Sequence, residues 1–153
     1  MADAALVGIH HVKFPVTDLA RSRAWYEKVF GLTPSMEFPD DDGVVKGVGY
    51  EPIGPGVTIS LRENPQAARG IAGFDPVSFA IADRAAADAW VARLDELGVA
   101  HSPVIVASIG WLVVFHDPDG TELHLYSMAE HGIDQSGRPG YGRRVGPVTG
   151  AAR

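Results

Sequence analysis

His10 and His11 stand side by side in IHHVKFPVTD, and Glu122 and His124 stand two apart in GTELHLYS. Neutral imidazole and carboxylate are the nitrogen and oxygen donors that suit Zn²⁺, Ni²⁺, Fe²⁺ or Mn²⁺, and they are also the commonest general acids and bases. Spacing decides which of them can act together. Both stretches read as β-strands, in which successive side chains point to opposite faces. His10 and His11 therefore cannot share a task, whereas Glu122 and His124 fall on one face, with their bases roughly 6 to 7 Å apart. No competing motif appears in the sequence. Without cysteine there is no disulfide, thiolate metal site or cysteine nucleophile. No phosphate-binding P-loop, dinucleotide G-x-G-x-x-G turn or G-x-S-x-G elbow occurs.

The elements that must carry these residues form a repeat. VKFPVTDLARSRAW (12–25) aligns with VSFAIADRAAADAW (77–90) at a constant offset of 65, so that Val12, Phe14, Val16, Asp18 and Trp25 meet Val77, Phe79, Ile81, Asp83 and Trp90. Each copy begins with an alternating strand and continues into a helix. Thr17 or Asp18, and Asp83 in the second copy, suit an N-cap, and Gly31 and Gly98 suit the left-handed C′ position. The helices show apolar stripes, Leu19, Tyr26, Val29 and Phe30 in the first and Ala87, Trp90, Leu94 and Leu97 in the second. Three strands are expected after each helix, at about 32–38, 44–51 and 56–63, and then at about 99–107, 109–116 and 120–127. The chain thus reads as two βαβββ modules, 7–63 and 74–128, joined by a linker at 64–73 and followed by a Gly- and Arg-rich segment, 129–153, expected to be a flexible tail.

A chain of 153 residues with 46% apolar and 21% charged residues has the composition of one ordinary globular domain. Its net charge of −6 offers no general attraction to nucleic acid or to anionic membranes, so neither is expected as a partner. The N-terminus lacks a secretory pattern and no segment approaches a membrane span, so a cytoplasmic location is expected.

The paired modules, opened by HHVKFPVTDLARSRAWYEKVFGL and closed by FHDPDGTELHLYS, resemble the vicinal oxygen chelate superfamily of glyoxalases, bleomycin-resistance proteins and extradiol dioxygenases over about residues 7 to 128. The resemblance implies an α+β fold, a single domain over 1–128 whose two βαβββ modules form an open, mostly antiparallel, barrel-like sheet with a concave ligand cleft. It also implies a homodimer. By strand parity, His11 and Lys13 of the first strand, Arg62 and Ser60 of the fourth, and Glu122, His124 and Tyr126 of the eighth then face the cleft, while His10 does not. Metal-binding members draw one ligand from each of the first, fourth, fifth and eighth strands. At those positions this chain offers His11, Ser60, Pro76 and His124, of which only the two histidines are competent ligands, an incomplete site.

Two readings of the cleft follow. In the first, it holds no metal cofactor and sequesters a small organic molecule, oriented by His11, Lys13, Arg62, Glu122, His124 and Tyr126, with Trp111 as a stacking surface. Lys13 and Arg62 suggest a ligand bearing an anionic or phenolic group. In the alternative, His11 and His124 hold Fe, Ni, Zn or Mn for a lyase, isomerase or dioxygenase, with Glu122 as the catalytic base. His101 and His116 read as surface residues, His131 as part of the loose tail, and Trp25 and Trp90 as packing residues of the helices.

Overall fold

A computed structural model describes residues 4–146 of the chain. The order of elements is β1 (His11–Val16), α1 (Leu19–Phe30), β2 (Pro34–Pro39), β3 (Val45–Tyr50), β4 (Thr58–Glu63), α2 (Pro65–Ile71), β5 (Ser78–Ile81), α3 (Arg84–Glu96), β6 (Ile105–Val106), β7 (Gly110–His116) and β8 (Glu122–Glu130). The fold is α+β, with two four-stranded mixed sheets ordered β1-β4-β3-β2 and β5-β8-β7-β6. The outer strand of each sheet pairs in parallel, β1 with β4 and β5 with β8, as the two repeat copies require. The chain divides into two compact units, one holding residues up to Pro76 together with His116–Glu122, the other Val77–Phe115 and the chain from Leu123.

In the first unit the sheet buries Phe14 and Val16 of β1, Val48 and Tyr50 of β3, and Ile59 and Leu61 of β4, against Leu19, Tyr26 and Val29 of α1. Alternation produces this face, because every second side chain of β1 and β4 points toward the helix. Asp18 caps α1 by accepting from the Arg21 N–H, and Gly31 ends it at φ 66°. Glu63 adds a second cap, accepting from the Leu19 N–H at 3.1 Å and from Lys46 at 2.7 Å. The Lys46 bond foremost, and then the Leu19 N–H, hold its carboxyl below the usual carboxylate range. The expected linker contains a helix of its own, α2, capped by Asn64 with Pro65 at its first turn.

The DPDG turn, residues 117–120, is fastened to α1. The Tyr26 hydroxyl donates to Asp117 at 2.8 Å, the Thr17 N–H donates to Asp119 at 2.9 Å, the Thr17 hydroxyl also donates to Asp119, and Arg21 pairs with Asp119 at 2.6 Å. Burial pushes the Asp117 carboxyl upward, opposed by the bonds from Tyr26 and from the N–H groups of Thr121 and Asp119. Burial also pushes the Tyr26 hydroxyl well above the ordinary tyrosine value, with the Asp117 charge adding to it.

The second unit buries Phe79, Ile81, Ala87, Leu94, Val113, Phe115, Leu123 and Leu125. Asp83 caps α3, accepting from the Ala86 N–H, and Gly98 follows at φ 67°. The strand expected at 99–107 is reduced to Ile105–Val106 plus an isolated bridge from His101 to Phe115. Pro103 has no N–H to give a ladder. Around it, Ser102 takes over the pairing, its N–H donating to Val114 O and its hydroxyl accepting from the Val114 N–H. Beyond β8, the His131 N–H donates to Ile109 O, His131 Nε2 lies 2.8 Å from Ala107 O, and the Gly142 N–H donates to Ser108 Oγ. Residues 147–153 of the expected tail lie outside the described residues.

Tyr26→Phe removes a buried hydrogen bond and is expected to cost about 1–3 kcal/mol at neutral pH in urea unfolding. Because the folded protein holds the Tyr26 proton where the unfolded chain releases it, stability is present below the ordinary tyrosine value of about 10 and falls as pH rises through it. The variant should lose stability less steeply over that range, and an unchanged slope would contradict the assignment.

Candidate functional site

The exposed face of the first sheet forms a cavity of about 450 Å³. Its geometry follows from strand register. One row across the sheet reads Lys13, Ser60, Gly49, Met36 and the next reads Pro15, Arg62, Gly47, Phe38. With strands about 4.8 Å apart, each row spans about 14 Å from β1 to β2. His11 stands one position before the first row, opposite Thr58. His10, which parity assigns away from this face, also lines the cavity, and the two imidazoles share a hydrogen bond of 3.0 Å between their Nδ1 atoms.

The two glycines of β3 shape the floor. A Cβ on Gly47 would come within 3.4 Å of Phe38 Cδ2 and 3.2 Å of Leu61 O, and one on Gly49 would lie 3.7 Å from Phe38 Cε2 and 3.8 Å from Met36 Cβ. The edge of the Phe38 ring therefore lies along β3, in the space that larger residues there would occupy. Phe38 keeps 41% of its surface exposed and Met36 58%, a sizeable apolar area left in water. The other end of the rows is cationic. Neither Lys13 nor Arg62 makes an ion pair with any described residue, and the lining of the cavity includes no carboxylate.

The start of β8 carries different chemistry. Asp75, Glu122 and His124 offer ligand atoms that all lie within 4.8 Å of one another. The grouping is local. His124 follows Glu122 by two on the strand, and the Glu122 N–H donates to the carbonyl of Phe74, next to Asp75. Two carboxylates and an imidazole form a donor set that fits a divalent cation with positions left over for water. Asp75 was not foreseen in the sequence, where it sits before β5 outside any strand pattern; the Asp-Pro pair at 75–76 marks a turn and nothing more. His116 approaches Glu122 at 3.6 Å.

Trp111 and Tyr126 are engaged within the second unit. The Arg84 guanidinium lies 4.9 Å from the Trp111 ring centroid, and the His131 ring meets it edge-on at 5.6 Å. The Tyr126 hydroxyl accepts from the N–H groups of Ile109 and Gly110 at 3.1 and 3.3 Å, and the Ser127 hydroxyl accepts from the Trp111 N–H. Gly110 permits this closeness, since a Cβ there would lie 2.8 Å from Tyr126 Cε1 and 2.9 Å from Ser127 O.

With the fold and these sites described, the chain belongs to the Glyoxalase/Bleomycin resistance protein/Dioxygenase superfamily, whose family model matches residues 8–125. Solved structures of similar fold include TnmS3, an antibiotic-binding protein from Streptomyces sp. CB03234, with TM-score 0.67 and 24% identity over 82% of this chain and 98% of that one. A glyoxylase/bleomycin resistance protein/dioxygenase domain from Frankia sp. EAN1pec has TM-score 0.61 and 27% identity over 80% and 98%. A mutant of the fosfomycin resistance protein FosX from Listeria monocytogenes, complexed with Mn(II) and a dihydroxypropylphosphonic acid, has TM-score 0.62 and 19% identity over 80% and 93%. The search of curated proteins finds no match. Among the described residues, no helix is long and apolar enough to cross a membrane.

Gly110→Ala is expected to force β7 away from β8 at a cost of about 1–3 kcal/mol, the range for overpacking. Urea unfolding followed by tryptophan fluorescence checks this, and wild-type stability in the variant would show that the close approach is not tight.

Proposed function

We propose that the protein binds a small organic molecule in the cavity on the first sheet and acts by sequestration, as a resistance-type binder. The observation that carries this reading is the cavity itself, a concave and largely apolar floor of Met36 and Phe38 with a few polar groups, His11, Lys13, Ser60 and Arg62, at one end. Such a lining orients a ligand by a few polar contacts against an apolar floor. It also suits a metal poorly, because two unpaired cations and a serine hydroxyl stand beside His11, whose Nδ1 is occupied by His10. TnmS3 and FosX illustrate antibiotic-directed roles in the family, and at their identity to this chain the likeness speaks for fold alone.

One observation favours a second reading, that of a divalent-metal enzyme of the lyase, isomerase or dioxygenase type. Asp75, Glu122 and His124 would hold the ion, which when bound acts as a Lewis acid toward oxygen atoms of a substrate. A carboxylate of this group left free of the ion could accept a substrate proton. In either reading the protein acts as a cytoplasmic homodimer.

Thermal unfolding of the full chain across a library of natural products and aromatic acids separates the readings. A bound ligand is expected to add about 2.7 kcal/mol of stability at a hundredfold excess over its dissociation constant. The gain should vanish in Ser60→Phe, which fills the cavity from the centre of a row. If no compound changes the unfolding temperature, the binding reading falls. Elemental mass spectrometry after incubation with Fe²⁺, Ni²⁺, Zn²⁺ and Mn²⁺ addresses the alternative, in which near-stoichiometric metal is retained by the wild type and lost in His124→Ala.

A further inference from the structure

We infer that the ligand of this cavity is a flat ring system bearing a carboxylate or phenolate, with the ring on Phe38 and the anion between Lys13 and Arg62. The inference rests on the binding reading above and goes beyond it to the chemical class of the ligand.

Charge is the first support. The chain carries 19 Asp and Glu against 13 Lys and Arg, and Arg21, Arg23, Lys46, Arg84 and Arg144 are each paired with a carboxylate. Lys13 and Arg62 pair with no described residue, and they lie on neighbouring rows of one cavity whose lining includes no acid. Two like charges on adjacent strands repel, and an anion between them relieves that repulsion while gaining charge-assisted hydrogen bonds. The Arg62 guanidinium can grip a carboxylate through two parallel N–H donors, and the Lys13 ammonium supplies a point charge. His11 and Ser60 offer further polar groups beside them.

Shape is the second support. Between the cations and the apolar end of each row stands a glycine, Gly49 or Gly47, so no β3 side chain rises between them. The Phe38 ring edge runs along this strip, in contact distance of where either Cβ would be, and Met36 flanks it. A planar ligand can stack on such a surface, whereas a branched aliphatic one meets it at few points. The Arg62 stem itself reaches over this strip, since its Cδ and Phe38 Cδ2 each lie 3.4 Å from where a Gly47 Cβ would be, so a ring resting on Phe38 has its substituent within reach of the guanidinium.

The test is isothermal calorimetry of the full chain with naphthoate, with naphthamide as the neutral molecule of the same ring, and with hexanoate as an anion without a ring. Naphthoate should bind at least about tenfold more tightly than either of the others, the lower end of what one charged hydrogen bond contributes. Because Lys13 and Arg62 are exposed and unpaired, Lys13→Gln/Arg62→Gln should fold normally by circular dichroism. In it, naphthoate and naphthamide should bind alike. Phe38→Ala should weaken both ring compounds about equally. Equal binding of naphthoate and naphthamide by the wild type, or a preference for naphthoate that survives in the double variant, overturns the assignment and leaves the cavity as a site for neutral molecules. If the probes fail while other library compounds still raise the unfolding temperature, the class is wrong and the binding reading stands. If nothing binds, both fall.

Discussion

The parallel register of β1 on β4 is the constraint on which the first sheet depends. With Lys13 opposite Ser60 and Phe14 opposite Leu61, Phe14, Val16, Ile59 and Leu61 all face α1 and are fully buried. A slip of one residue would exchange the faces, sending Lys13 under the helix and Phe14 into water. At about 1.5–3 kcal/mol for each large apolar side chain, such an exchange exceeds the net stability of an ordinary domain once several residues share it. The core thereby fixes the opposite face as well. His11, Lys13, Ser60 and Arg62 stand together because their neighbours in sequence are needed beneath the helix.

The two regions of interest differ in chemistry. The cavity of the first sheet is cationic at one end and apolar at the other, with glycines between, a surface suited to recognising a shape and a charge. The start of β8 gathers two carboxylates and an imidazole, a set suited to a cation. The two sets of side chains thus complement opposite charges. That division bears on how a superfamily with both metal enzymes and binders could use one fold, since the polar residues on a few strand positions are free to change while the buried alternation is retained.

Much of this was legible in the sequence. The alternating runs around Phe14 and Phe79, the aspartate caps at 18 and 83 and the glycines at 31 and 98 are strong local signals, and each corresponds to an element with its cap in the structure. Less legible were features set by contacts between distant segments. The helix α2, only seven residues long, lies within the stretch 64–73 that reads as a linker in the sequence. The β6 strand contracted because a proline and a serine side chain replaced ladder bonds, which apolar content alone does not disclose. At the site, parity brought His11, Lys13 and Arg62 to one face. It did not bring in Phe38 and Met36, whose place depends on the pairing of β2 with two glycines of β3. Asp75 escaped for the same reason, since a residue in a connecting segment has no period to betray it.

The most direct test of the cavity as the ligand site is a titration of the full chain with naphthoate, followed by amide chemical shifts. Shifts that saturate together and centre on Lys13, Gly49, Ser60 and Arg62 are the predicted result. Shifts confined to Asp75, Glu122 and His124, or none at all, would contradict it.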